Sequence, residues 1–88
     1  MKIGKVVGHL WSTKKQDSLT GMKLMIIEPM DPMEKCKEQL PIVAVDSVGA
    51  GIGEIVIYAT GSSARKAIAN SEAPVDAAVL GIVDNIEI

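Results

Sequence analysis

Covalent or acid–base chemistry needs a nucleophile or titratable group beside a partner that activates it, and these 88 residues offer few such pairs. His9 is the only histidine. Neither Ser62 nor Ser63 has a base at a recognisable spacing, so a nucleophilic triad has little support. One cysteine, Cys36, and one histidine cannot close a zinc site within a subunit, and neither a metal nor another cofactor is expected. Asp46, Glu54, Asp76 and Asp84 are scattered near strand ends, where carboxylates cap loops or stay in solvent. The chain therefore reads as a non-enzyme, with His9 a strand-end side chain.

Two stretches carry backbone chemistry instead. Ser47-Val48-Gly49-Ala50-Gly51-Ile52-Gly53 places three glycines at alternate positions between two strand-like runs. Glycine tolerates positive φ and close backbone approach, so this segment can turn tightly or pack against another copy of itself. As a dinucleotide loop it fails: the third glycine is misplaced and a strand follows where a helix should. Gly61-Ser62-Ser63 opens a helix, where free N–H groups could hold an anion, but ordinary serine capping is the simpler reading. Arg65 and Lys66 follow in the first turn, the wrong end for the helix dipole, which suits either a contact across a subunit boundary or plain solvation.

The elements that position these stretches are mostly strands. Lys2 to Trp11 is rich in strand formers and, with Gly4 and Gly8, reads as a bent first strand. The polar Ser12 to Gly21 is a hairpin loop, and Lys23 to Glu28 is a second strand that Pro29 should stop. Met30 to Pro41 lacks a strand period and reads as a loop with at most one helical turn. Ile42 to Asp46 and Glu54 to Thr60 are the clearest strands. Ser62 to Asn70 predicts a two-turn helix with a serine cap, and the alternation in the latter part of Val75 to Ile88 predicts a closing strand. Five strands with one short helix before the last fit a mainly β, OB-like barrel, which leaves no exposed sheet edge.

Composition narrows the function classes. Lys plus Arg number 9 against 11 Asp plus Glu, with no basic block. Nucleic acid and anionic membrane are therefore unsuited partners, and Trp11 and Tyr58 are too few aromatics for a base-stacking groove. Trp11 reads as a packing or interface anchor. Hydrophobic residues make up 48% of a chain without Phe, so nine Val and eleven Ile must build an aliphatic core. A chain this short buries only about 60% of its unfolded surface, and part of the apolar excess is expected to face another subunit. The apolar or glycine run Ala77 to Val83 is far short of a membrane span, the first residues lack a signal-peptide pattern, and a single cysteine forms no internal disulfide. One cytoplasmic domain over residues 1–88 is expected.

The order Ala44-Val45-Asp46-Ser47-Val48-Gly49-Ala50-Gly51-Ile52-Gly53-Glu54, then Gly61-Ser62-Ser63-Ala64-Arg65, then Pro74-Val75-Asp76 and Gly81-Ile82-Val83-Asp84, resembles the EutN/CcmL family of bacterial microcompartment vertex proteins. The opening Met1 to Gly8 extends the likeness to nearly the whole chain. The resemblance implies an OB-like barrel, a homopentamer at the vertices of a polyhedral shell, and hexameric shell proteins as neighbours. It places Ser47, Val48, Gly49, Ala50, Gly51, Ile52 and Gly53, with Ser62, Ser63 and Arg65, at subunit interfaces or near the fivefold axis. The competing expectation is a small OB-type binding module holding nucleic acid or a small anion at Gly61-Ser62-Ser63.

Overall fold

The computed structural model describes residues 1–11, 19, 21–31, 40–68 and 74–87. Most of the expected loops Ser12 to Gly21 and Met30 to Pro41, with Cys36, lie outside these, as does the expected helix end at Asn70. The first strand, β1 (Lys2–Leu10), bends where its glycines predict: Val6 pairs with Ile27 and Gly8 with Ile26, leaving Val7 as a bulge. The second, β2 (Lys23–Met30), runs past Pro29 instead of stopping there. Pro29 pairs with Gly4 of β1 after pairing with the next strand has ended at Ile27, so its missing N–H costs no central ladder bond.

The remaining elements are β3 (Ile42–Asp46), β4 (Ile55–Thr60), α1 (Ser62–Ala67) and β5 (Ala77–Ile82). They close a five-stranded barrel in the order β1-β2-β3-β5-β4, with β3 and β5 parallel and the other pairs antiparallel. The helix lies before the last strand, as expected. The stagger is steep: a row of partners from Lys2 runs through Tyr58, Val79, Asp46 and Lys23 and returns to β1 beside Leu10, at its other end. Such shear lets so few strands close around a filled interior.

That interior is aliphatic, as the composition demands. Val6, Met25, Ile27 and Val56 are fully buried, with Val79, the alanines Ala44, Ala50 and Ala77, and one aromatic, Tyr58. Gly4 makes room for the Tyr58 ring, since a Cβ there would lie 3.1 Å from Tyr58 Cε1 and 3.0 Å from the Glu28 carbonyl oxygen. Outside the wall, Val45 and Val75 form a smaller cluster with Leu24 and Ile68.

Two expected elements differ. The closing strand occupies the early part of its segment, Ala77–Ile82, pairing with β4 from Thr60 back to Val56, and a last bond from the Val83 N–H to the Ile55 carbonyl at 2.8 Å ends the ladder where β4 begins. The alternating residues from Val83 onward form no strand up to Glu87, so their polarity pattern is not a sheet period. The helix is one turn shorter than expected, with Ile68 extended. Its N-cap is Gly61 at φ 65°, and no side chain caps it. The Gly61 N–H donates to the Asp76 carbonyl at 2.8 Å, which fixes a backbone turn only glycine adopts cheaply and moves Ser62 one place inside the helix.

Candidate assembly site

The glycine segment after β3 is braced by a carboxylate at its root. Asp46 is buried, and its Oδ1 accepts the N–H groups of Val48 at 2.9 Å and Gly49 at 3.2 Å, while Oδ2 accepts that of Ala50 at 2.8 Å. These donors come from a segment with no sheet partner, so the side chain does what a ladder does elsewhere. Lys23, the cross-strand partner of Asp46, places Nζ 3.6 Å from Oδ2 and donates to the Ala50 carbonyl at 3.1 Å. Ala50 is thereby drawn completely into the barrel core.

The far side of the loop is fixed by Glu54 and β1. Glu54 Oε1 accepts the Gly51 N–H at 2.6 Å, and the Glu54 N–H donates to the Gly51 carbonyl at 3.1 Å. Gly53 donates to the Val6 carbonyl at 2.8 Å and Val6 donates to the Glu54 carbonyl at 2.9 Å. Two of the three alternate glycines do the turning: Gly49 and Gly53 have φ of 94° and 91°. Gly51 does not, but a Cβ there would press on Glu54 Oε1 at 3.2 Å. Between these anchors Ser47, Val48 and Ile52 remain exposed. Sequence reasoning singled out the loop and left Asp46 and Glu54 between capping it and solvation, of which the structure shows capping, but it assigned no role to Lys23. The signal for Glu54 lay in a carboxylate three residues beyond a glycine whose N–H needs an acceptor.

The second predicted stretch stands apart. The helix α1 packs on β4 and β5, burying Ala64 and exposing Ser62, Ser63 and Arg65. Among the described residues no hydrogen bond or ion pair joins it to the loop, so the two stretches are separate surface features within one subunit. His9 is exposed near the end of β1, as read from sequence, and Trp11 is 93% exposed, so it anchors nothing inside its own subunit. Among the described residues no buried polar side-chain atom lacks a partner, and no group of three His, Cys, Asp or Glu side chains gathers to hold a metal.

An OB-like barrel with a loop braced from both ends presents a fixed surface. The EutN/CcmL family model, described as ethanolamine utilisation protein EutN/carboxysome, matches residues 1–84, and the chain belongs to that family. The bacterial microcompartment shell vertex protein GrpN of Rhodospirillum rubrum is 45% identical over 87 residues, 99% of this chain and 97% of its own length. The solved structure of the GrpN pentameric shell protein from that organism superposes with a TM-score of 0.87, covering 100% of this chain and 99% of that one at 45% identity. The structure of Gloeobacter violaceus CcmL superposes with a TM-score of 0.91 at 38% identity, covering 100% and 90%. These relatives are named for a structural place in a shell, which agrees with the reading of a non-enzyme. No helix among the described residues is long and apolar enough to cross a membrane.

Proposed function

We propose that this chain is a structural protein of a bacterial microcompartment shell, assembling as a cyclic homopentamer that occupies the vertices. The full-length likeness to shell vertex proteins, one of them solved as a pentamer, carries this reading. Its physical logic is that a flat layer of sixfold units cannot close, and fivefold units at its corners supply the curvature. Hexameric shell proteins are the neighbours that logic requires. A cyclic ring repeats one heterologous contact, so each subunit must offer two different faces.

The braced loop Ser47 to Gly53 supplies one face or the rim of the axis. Its support is mechanical: two exposed aliphatic side chains, Val48 and Ile52, ride on a backbone fixed at Asp46, Glu54 and Val6. Ser62, Ser63 and Arg65 are assigned to the same boundary on their exposure and on the family pattern alone. The binding-module alternative is weaker here, because α1 is a short helix and the chain is acidic.

Native mass spectrometry tests the reading. Five copies of a 9.3 kDa chain give a species of roughly 46.5 kDa. A chain that stays monomeric at micromolar concentration overturns it, and salt-sensitive shifting of an oligonucleotide would move the weight to the binding module.

A further inference from the structure

Among the side chains that fill the barrel, Tyr58 alone carries a hydroxyl. The residue is only 2% exposed, yet its hydroxyl makes no hydrogen bond. No fully buried polar side-chain atom among the described residues lacks a partner, so this hydroxyl is not sealed in: it belongs to the small part of Tyr58 that solvent reaches. Tyr58 lines a cleft of about 590 Å³ at the end of the barrel where β1 begins and β2 ends. Met30, Ile3 and Ile57, successive partners in one row across β2, β1 and β4, form its apolar wall, with Pro29 beside them. Two charged side chains of opposite sign, Lys2 and Asp31, also line it. A tyrosine packed this deeply ordinarily finds a partner for its O–H. An apolar cleft of roughly 300 to 1,000 Å³ with one unanswered polar group has instead the composition of a small-molecule site.

We infer that this cleft binds a small neutral aliphatic molecule through its carbonyl oxygen, to which the Tyr58 hydroxyl donates. Each part of that description has a source in the lining. The wall of Ile3, Met30, Ile57 and Pro29 takes an aliphatic body, and the unbranched thioether of Met30 adapts to its shape. Lys2 and Asp31 offset one another, so the side chains favour neither an anion nor a cation. The phenol keeps its proton at neutral pH and is free to donate it to an acceptor. The inference goes beyond the shell role proposed above and does not depend on it.

The test is a titration of the full chain, in whatever oligomeric state it adopts, with ethyl butanoate, observed by NMR of the isoleucine and methionine methyl groups. The methyls of Ile3, Met30 and Ile57 should shift and saturate, with a Kd on the order of 1 mM for so small a molecule. Tyr58→Phe keeps the ring and removes only the hydroxyl, and it should weaken binding about fivefold or more. Tyr58 is the only tyrosine, so a red shift of its ultraviolet absorption on saturation reads the same hydrogen bond in the unaltered protein, even if the variant fails to fold. Equal affinity in a folded Tyr58→Phe, or saturation without that red shift, overturns the inference. So does the absence of saturable shifts at these methyls, whether a neighbouring subunit closes the cleft or nothing binds there. Native mass spectrometry of the same sample reports the oligomer separately, so a monomer that binds the ester would overturn the pentamer and leave the cleft standing.

Discussion

Lys23 faces Asp46 across the β2–β3 ladder, and its Nζ, 3.6 Å from Oδ2, also donates to the carbonyl of Ala50, whose N–H the same Oδ2 accepts. The two side chains thus clamp one peptide segment between them. Their shares differ greatly, because the lysine side chain is 42% exposed and the carboxylate is wholly buried.

An ion pair with one solvated partner contributes about 1 kcal/mol or less, whereas leaving three loop N–H groups without their acceptor costs about 3 kcal/mol or more. Asp46→Ala should therefore destabilise the protein several times more than Lys23→Met. Urea unfolding of both variants at one fixed protein concentration checks this, since assembly makes stability concentration-dependent. Equal losses would assign the loop's rigidity to the ion pair instead.

The glycines of the loop separate strain from contact. Gly53→Ala places a side chain at φ 91°, where open space offers no relief from backbone strain, and should cost about 1 kcal/mol or more. Gly51→Val meets a different obstacle: its Cβ presses on Glu54 Oε1, the atom that accepts the Gly51 N–H. If the loop forms a ring contact, Gly51→Val should lose the pentamer while keeping the barrel. A stable pentamer in native mass spectrometry would count against that placement.

Two glycines of β1 look alike in sequence and should respond in opposite ways. A Cβ at Gly4 meets the Ile27 Cγ2 atom inside contact distance and the Glu28 carbonyl at 3.0 Å, and that backbone cannot shift cheaply. Gly4→Ala is expected to cost about 1 to 3 kcal/mol through overpacking. At Gly8 the added atom touches only the flexible end of Ile26, at 3.4 Å, so Gly8→Ala should stay within about 1 kcal/mol of wild type. Thermal unfolding of the pair measures the contrast, and matched Tm values would refute it.

This pair also shows what a sequence can and cannot carry. That β1 bends was legible, because two glycines in a strand-forming run point to a bulge; that Gly4 faces a tyrosine ring was not, because Tyr58 is 54 positions away and only the register of β1 on β4 brings them together. The barrel, its five strands and the helix before the last followed from β-branched runs and their punctuation. Pro29 misled because a proline's cost depends on whether a neighbour asks for its N–H at that position, a tertiary fact. Ser62 misled because a glycine one place earlier took the cap. In the loop the glycines announced a turn, while the carboxylates that hold it, Asp46 and Glu54, could be read only as capping a loop or lying in solvent, since which N–H groups they reach depends on the folded backbone.

Tyr58 gives the protein an alkaline limit. Its phenol is buried in the barrel, and desolvation of the charged form raises its pKa above the ordinary 10.0. Below pH 10 both folded and unfolded chains hold the proton, and the contribution to stability is complete. Above it the unfolded chain loses its proton first, so stability falls as pH rises towards the folded value. Tyr58 is the only tyrosine, so ultraviolet difference spectroscopy follows its ionisation alone. Tyrosinate should form at a higher pH in the folded protein than in the urea-unfolded chain. Tyr58→Phe should remove that part of the alkaline loss. A folded protein that ionises at the same pH as the unfolded chain would place the phenol in solvent, and with it would go the argument that Gly4 is small to accommodate a buried ring.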